Sequence, residues 1–295
     1  MSRQIVSTIT LVAGLFAGSA VRPAWAGTYD PQVGQPGSLG PQYIYSSPIY
    51  QEWASSVISL TRGPEDIAVP SDGLASFGSP GNALGQANND VYKVVSLGDG
   101  GSITVGFNTP IANGPGADFA VFENGFLSGG PGLAFLELAT VAVSSDGVHF
   151  FTFPDVSETQ TTTQVGAFGL LDASNLYDLA GKYIAGYGTP FDLAELAGVS
   201  PYLNVNDVTE VRITDVVGSI NPLYGTRDSL GNLINDPWPT PFASSGFDLN
   251  GVGVINMASV PEPSSLVLSL SALGIAAVAW RRAKIRSVPM PRRTR

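Results

Sequence analysis

The 295-residue chain has no cysteine, and that absence excludes a disulfide scaffold, a zinc-thiolate site and a thiol nucleophile. A single histidine excludes every site that needs two imidazoles, the common zinc hydrolase patterns among them. Charged residues make up 13% of the chain, about half of the usual share. Cations are scarcest in the middle. Residues 27–260 contain only Arg62, Lys93, Lys182, Arg212 and Arg227 against 23 of the 24 acids, a formal charge of −18. Such a body repels phosphate backbones and anionic lipid, so nucleic acid is not an expected partner. Metal cations and neutral sugars fit it, and so does plain solubility charge. What is abundant is turn chemistry. With 35 glycines and 22 prolines, the composition favours a turn-rich β protein over a helical bundle.

Both ends read as addresses. Arg3, the uncharged run Ile5–Ala20 and the small-x-small triplet Ala24-Trp25-Ala26 form a secretory signal peptide over 1–26, with cleavage expected between Ala26 and Gly27. At the other end, Val260-Pro261-Glu262-Pro263-Ser264-Ser265 precedes the 15-residue apolar span Leu266–Trp280, then Arg281-Arg282 and a basic tail to Arg295. A comfortable membrane span needs about 20 residues, so this one is short, and its basic flank holds its end on the cytoplasmic side. The order Pro261-Glu262-Pro263, Leu/Ala-rich helix, Arg pair resembles the PEP-CTERM sorting signal of exported bacterial proteins. The resemblance implies a Gram-negative-type host, export machinery, processing by an exosortase, transient anchoring in the inner membrane by the tail, and delivery to the cell surface or extracellular matrix. A lasting C-terminal membrane anchor is the alternative.

The body, 27–259, is expected to be all-β: a single antiparallel β-sandwich with long loops and one or two short helices. Residues 27–50 read as an extended lead-in. Strand signals fall at 101–107, with Ile103, Val105 and Phe107 on one face, and at 118–123, 138–144 and 148–153. Asp146-Gly147 marks a hairpin turn. The 208–217 strand puts Val211 and Ile213 inward and Glu210, Arg212 and Thr214 outward. The last strand covers 247–256, with a bulge expected at Gly251. Leu176, Leu179, Ala180 and Tyr183 have helical spacing, predicting a helix over 174–184 with Ser174 near its N-cap, and a second is predicted over 191–197. The segments GGSITVGF, DFAVFEN, VAVSSDGVHFFTF, VTEVRITDV and SGFDLNGVGVIN, taken in order over 100–256, resemble the galactose-binding-like (discoidin-type) jelly roll. The insertion 157–205 and the proline-rich stretch 235–242 depart from that family's compact form.

No Gly-x-Ser-x-Gly elbow occurs, and the lone His149 lies in a hairpin, where a strand-face position is the expected role. Paired carboxylates remain available to a glycoside hydrolase, with Glu123, Glu137 and Asp118 as the acids near strand ends. The jelly-roll resemblance implies a structural calcium. Asp118, Glu123 and Asn124 bracket one strand, Asp215 ends another, and Asp248 with Asn250 opens the last, so these are the expected ligands. Ordinary capping and turn chemistry is the competing role for the same residues. No EF-hand spacing is present. Sugar binding needs aromatic faces in loops, which Trp238 and Phe242 offer in a proline-stiffened segment, with Tyr187 and Tyr224 elsewhere; Trp238 and Phe242 could equally plug the sandwich end. Arg227 beside Asp228 reads as a loop ion pair. The expected function is therefore non-enzymatic: an exported cell-surface or extracellular-matrix protein with a binding or a purely structural role, with calcium as the candidate stabiliser and polysaccharide or another envelope component as the candidate ligand. A secreted polysaccharide hydrolase is the alternative, and two carboxylates facing one cleft are the feature that favours it.

Overall fold

A computed structural model describes residues 27–259. The signal peptide with its Ala26–Gly27 junction, the sorting motif residues Pro261, Glu262, Pro263, Arg281 and Arg282, and the apolar helix at 266–280 are expectations that lie outside the described residues. Among the described residues no helix is long and apolar enough to cross a membrane.

Alternation of β-branched and aromatic residues builds two main antiparallel sheets. One has the order Glu52–Trp53, Gly251–Val254, Phe119–Phe122, Thr189–Phe191. The other has the order Ser56–Thr61, Ser102–Ile111, Val208–Asp215, Ala139–Ser144, Phe151–Thr152. Val211 sits opposite Val105 on one side and Val143 on the other, and Ile213 opposite Ile103 and Val141. These six side chains share one core with Phe119, Val121, Phe191, Val252 and Val254 of the first sheet. Phe119, Phe153 and Phe191 form its centre, with Phe119 stacked on Phe191 at 5.3 Å. Because a strand's side chains alternate, Ala120 and Phe122 leave that core for a second cluster with Ala87, Tyr50 and Trp53. Both faces of the Phe119–Phe122 strand are thus covered.

Three of the sequence expectations need correction. The body is not one uniform sandwich: besides the two main sheets it carries a three-stranded sheet (Phe126–Leu127, Leu133–Phe135, Leu171–Asp172) and two two-stranded ones. These small sheets form because the long loops pair with each other, not with the main ladders. The helices predicted at 174–184 and 191–197 are single 3₁₀ turns, Ala173–Asn175 and Leu193–Leu196, and the described residues contain no α-helix. Leu176, Leu179, Ala180 and Tyr183 are all buried as the pattern demanded, but Leu176 lies in the short strand Leu176–Tyr177 and Ala180 in an isolated bridge to Ala139. Asp178 (φ 46°) and Gly181 (φ 85°) both turn left-handed and stop any helix there. Asp172, not Ser174, caps the turn. The bulge expected at Gly251 is instead a change of partner: Asp248–Leu249 pairs with Val95–Ser96, and Gly251–Val254 pairs with Phe119–Phe122.

The lead-in also packs. Gln32 is fully buried and donates to Lys182 O, and Gly40–Tyr43 forms a 3₁₀ turn. Replacing Phe191 by alanine is expected to cost about 3–5 kcal/mol, because both ring partners lose contact and the cavity cannot collapse between two sheets. Urea unfolding followed by far-UV circular dichroism measures it.

Candidate functional site

Several strands of the two main sheets begin or end beside acidic residues, and these ends converge. Glu123 and Asn124 follow Phe122, Glu137 precedes Ala139, Asp215 closes Val208–Asp215, and Asp99 precedes Ser102–Ile111. Antiparallel pairing brings the start of one strand to the end of its neighbour, so these acids gather at one end of the two sheets. Asp248 joins them from the short strand Asp248–Leu249, and Asp236 from a loop. All six acids are buried.

Most of the cluster is held by N–H donors. Asp215 accepts from Gly100 N at 2.9 Å and Phe247 N at 2.6 Å. Asp236 accepts from Leu138 N at 2.9 Å. Asp99 accepts from Ile67 N and from the Trp238 indole, at 2.8 and 2.9 Å. Asp248 is held by the Ser96 hydroxyl on one oxygen and by the Asn124 amide, at 2.8 Å, on the other. Glu123 accepts from Gly125 N at 2.6 Å through Oε2, while its buried Oε1 has no partner. Gly125 is required here, since a Cβ would stand 2.7 Å from Phe135 O. Glu137 differs from all of these: its carboxyl makes no hydrogen bond to any described residue, and it lines a cavity.

That cavity, about 620 Å³, has Glu137, Asp248 and Asn124 among its lining residues. Its walls are largely apolar. Phe126 stacks on Phe135 at 5.1 Å, Phe135 meets Phe168 at 6.4 Å, and Phe168 meets Phe242 at 6.0 Å, giving a continuous aromatic arc. Phe168 is 72% exposed and Tyr92, also lining the cavity, 75%. Large exposed aromatics gathered beside a cavity mark a binding surface more often than a core edge.

Burial dominates the electrostatics. It pushes Glu123, Glu137, Asp215 and Asp236 well above the ordinary carboxyl range, with neighbouring acids adding to the effect. Asp248 is pushed up to about 6 by burial, opposed by its bonds from Ser96 and Asn124 and by the charge of Arg62. Arg62 itself donates to the carbonyls of Phe77, Ser96 and Gly78, so its charge is committed to backbone.

The residues singled out from sequence divide unevenly. Of the aromatics, Phe242 lines the cavity. Trp238 instead ties Asp99 and stacks with Tyr224 at 6.3 Å, and Tyr187 pairs by a backbone bridge with Ile44. Of the six expected calcium ligands, Glu123, Asn124 and Asp248 come together. Asp118 lies at the opposite end of its strand, holding Gly114 N, Leu193 N and the Asn256 amide. Asp215 is engaged as described, and Asn250 clamps Asn88 N and Lys93 O. Among the described residues no group of three or more His, Cys, Asp or Glu is arranged to hold a metal ion. The acids proposed for hydrolysis separate likewise: Glu123 and Glu137 share the cluster and Asp118 does not. His149 bonds Asp146 at 2.7 Å and stacks on Tyr202, an exposed hairpin decoration. Arg227 donates to Gly231 O and does not pair with Asp228, whose carboxyl takes N–H donors instead. The sequence reading missed Phe126, Phe135 and Phe168. Phe126-Leu127 directly after the Glu-Asn-Gly turn was the available signal, an apolar pair where a solvated turn exit is normal.

Residues 259–283 match the PEP-CTERM protein-sorting motif. The match indicates an exported surface protein that is addressed to an exosortase. No curated protein matches the chain.

Stability should carry the signature of the acid cluster. Carboxyls whose folded pKa is raised bind protons more readily in the native state, so their contribution is complete below the unfolded value, about 4, and is lost as pH climbs through the folded value. For Asp248 the loss ends near pH 6, and for the four higher acids it continues above. The melting temperature is therefore expected to fall as pH rises from about 4 through 6 and beyond, and Asp248→Asn to remove the part near 6. Thermal melts across that range read both; a melting temperature that stays level or rises contradicts the assignment.

Proposed function

We propose that this exported protein is a non-enzymatic binding protein of the cell surface or matrix, and that the aromatic-walled cavity is its glycan site. The observation that carries the reading is the exposed arc Phe126, Phe135, Phe168 and Phe242 set directly above carboxyl and amide groups. A sugar has one apolar face and a rim of hydroxyls. Ring faces take the first, and Glu137, Asp248 and Asn124 take the second. In the finer reading, the two main sheets correspond to a galactose-binding-like jelly roll whose loops build the site.

A polysaccharide hydrolase is the second reading, because Glu137 and Asp248 line the same cavity. It ranks below binding for a structural reason. Both oxygens of Asp248 are already engaged by Ser96 and Asn124, which leaves Glu137 as the one free acid, whereas the two-carboxyl mechanism needs both an acid and a base or nucleophile.

Phe168→Ala and Phe242→Ala are each expected to weaken retention on immobilised polysaccharide about tenfold, while moving the melting temperature little because both rings are exposed. Affinity electrophoresis against a panel of bacterial polysaccharides measures it. Loss of no affinity, or retention on none of the panel, overturns the reading; release of sugar products abolished by Glu137→Gln favours the hydrolase. The sorting motif carries its own expectation. The protein recovered from the cell surface should lack the segment beyond its motif, and an intact mass that includes Arg295 contradicts processing.

A further inference from the structure

Glycan binding alone does not account for Glu137. The residue is only 5% exposed, its side chain lines the cavity, and no donor among the described residues meets its carboxyl, although nearly every other buried acid has one. Leaving a carboxyl in that state costs free energy that a ligand can recover. The ligand must supply a donor, and the surroundings specify which kind. Asp248 lines the cavity beside Glu137, and Glu123, Asp215 and Asp236 act on Glu137 with the same sign of charge when they ionise. The nearest cation acting on this group of acids, Arg62 against Asp248, is committed to three carbonyls, and no basic side chain lines the cavity. The walls are phenylalanine faces, whose negative π surfaces attract a cation and repel an anion. An uncharged sugar would satisfy the walls and leave the acid field unopposed. A sugar with an aliphatic ammonium satisfies both.

We propose that the cavity selects a cationic amino sugar, with the ammonium seated on Glu137 beside Asp248 and the ring resting against Phe168 and Phe242. The proposal rests on the glycan reading above and adds charge to it. Arrival of the ammonium favours the ionised form of Glu137, so the carboxyl proton held there by burial leaves to the buffer as the complex forms. An uncharged ligand would release none.

Isothermal titration of the mature protein with a glucosamine oligosaccharide, its fully N-acetylated counterpart and an oligolysine peptide tests this. The expected result is binding of the amine oligosaccharide at least tenfold tighter than the acetylated one, with a heat that changes with the ionisation enthalpy of the buffer. Glu137→Gln, which keeps the shape of the side chain, is expected to erase that preference. Equal affinity of the two sugars for the wild type overturns the inference and leaves the glycan reading standing; so does a preference that survives in Glu137→Gln. Binding of oligolysine with no binding of either sugar or of any polysaccharide overturns both. The wild-type comparison of the two sugars decides the matter even if the variant fails to fold.

Discussion

Burying carboxylates without cations to meet them is the constraint on which this structure depends. Ten acids are buried among the described residues, against one buried cation, Lys182, whose ammonium donates to Leu176 O. The only ion pair among the described residues is the exposed His149–Asp146 contact. N–H groups, most of them from the backbone, do the work instead. Asp118 gathers Gly114, Leu193 and Asn256; Asp215 gathers Gly100 and Phe247; Asp228 gathers Ser157, Leu230 and Asn232. Each such acid ties a loop to a strand end. A chain with no disulfide, no α-helix among its described residues and many strands of two or three residues is fixed largely by these ties. An uncompensated charge in such a place is costly, and a shift toward the protonated form is the usual relief.

The same economy sorts structural acids from the functional candidate. Asp99, Asp118, Asp215 and Asp236 have their lone pairs taken by donors of the fold, and their roles are to position Trp238, the Leu193 turn, Phe247 and Leu138. Glu137 has no such duty. It is pinned from the main chain, where Gly181 approaches so closely that a Cβ would stand 2.1 Å from Glu137 O. The side chain is therefore aimed by backbone packing, which leaves its carboxyl available to whatever enters the cavity.

Much of the fold was legible in the sequence, and the reasons are local. The central strands read correctly because Ile103 and Val105, Val141 and Val143, and Val211 and Ile213 alternate with polar or small residues across a ladder buried on one face. The helices did not, because Leu176, Leu179, Ala180 and Tyr183 give the same burial spacing in a non-helical path of short strand, turn and bridge, and the left-handed Asp178 leaves no mark in a pattern of apolar residues. The site was half legible. Glu123, Glu137 and Asp248 could be named because they sit at strand ends. Asp118, Asp215 and Asn250 sit at strand ends too, and only their donors distinguish them. Phe135 and Phe168 were illegible, since the arc they complete joins residues more than thirty positions apart, through loops whose course no periodicity describes.

The polarity of the Phe119–Phe122 strand has a consequence for how the molecule stands. Asn124, at one end, lines the cavity, and Asp118, at the other, receives Ile255 N and the Asn256 amide just before the chain reaches Ser259. Met257 bridges to Ile111, which belongs to that same far end. The two ends are about 20 Å apart along the strand. The described chain thus ends, at Ser259, on the side of the body opposite the phenylalanine-walled cavity, so whatever follows it leaves the cavity mouth unobstructed at its point of departure.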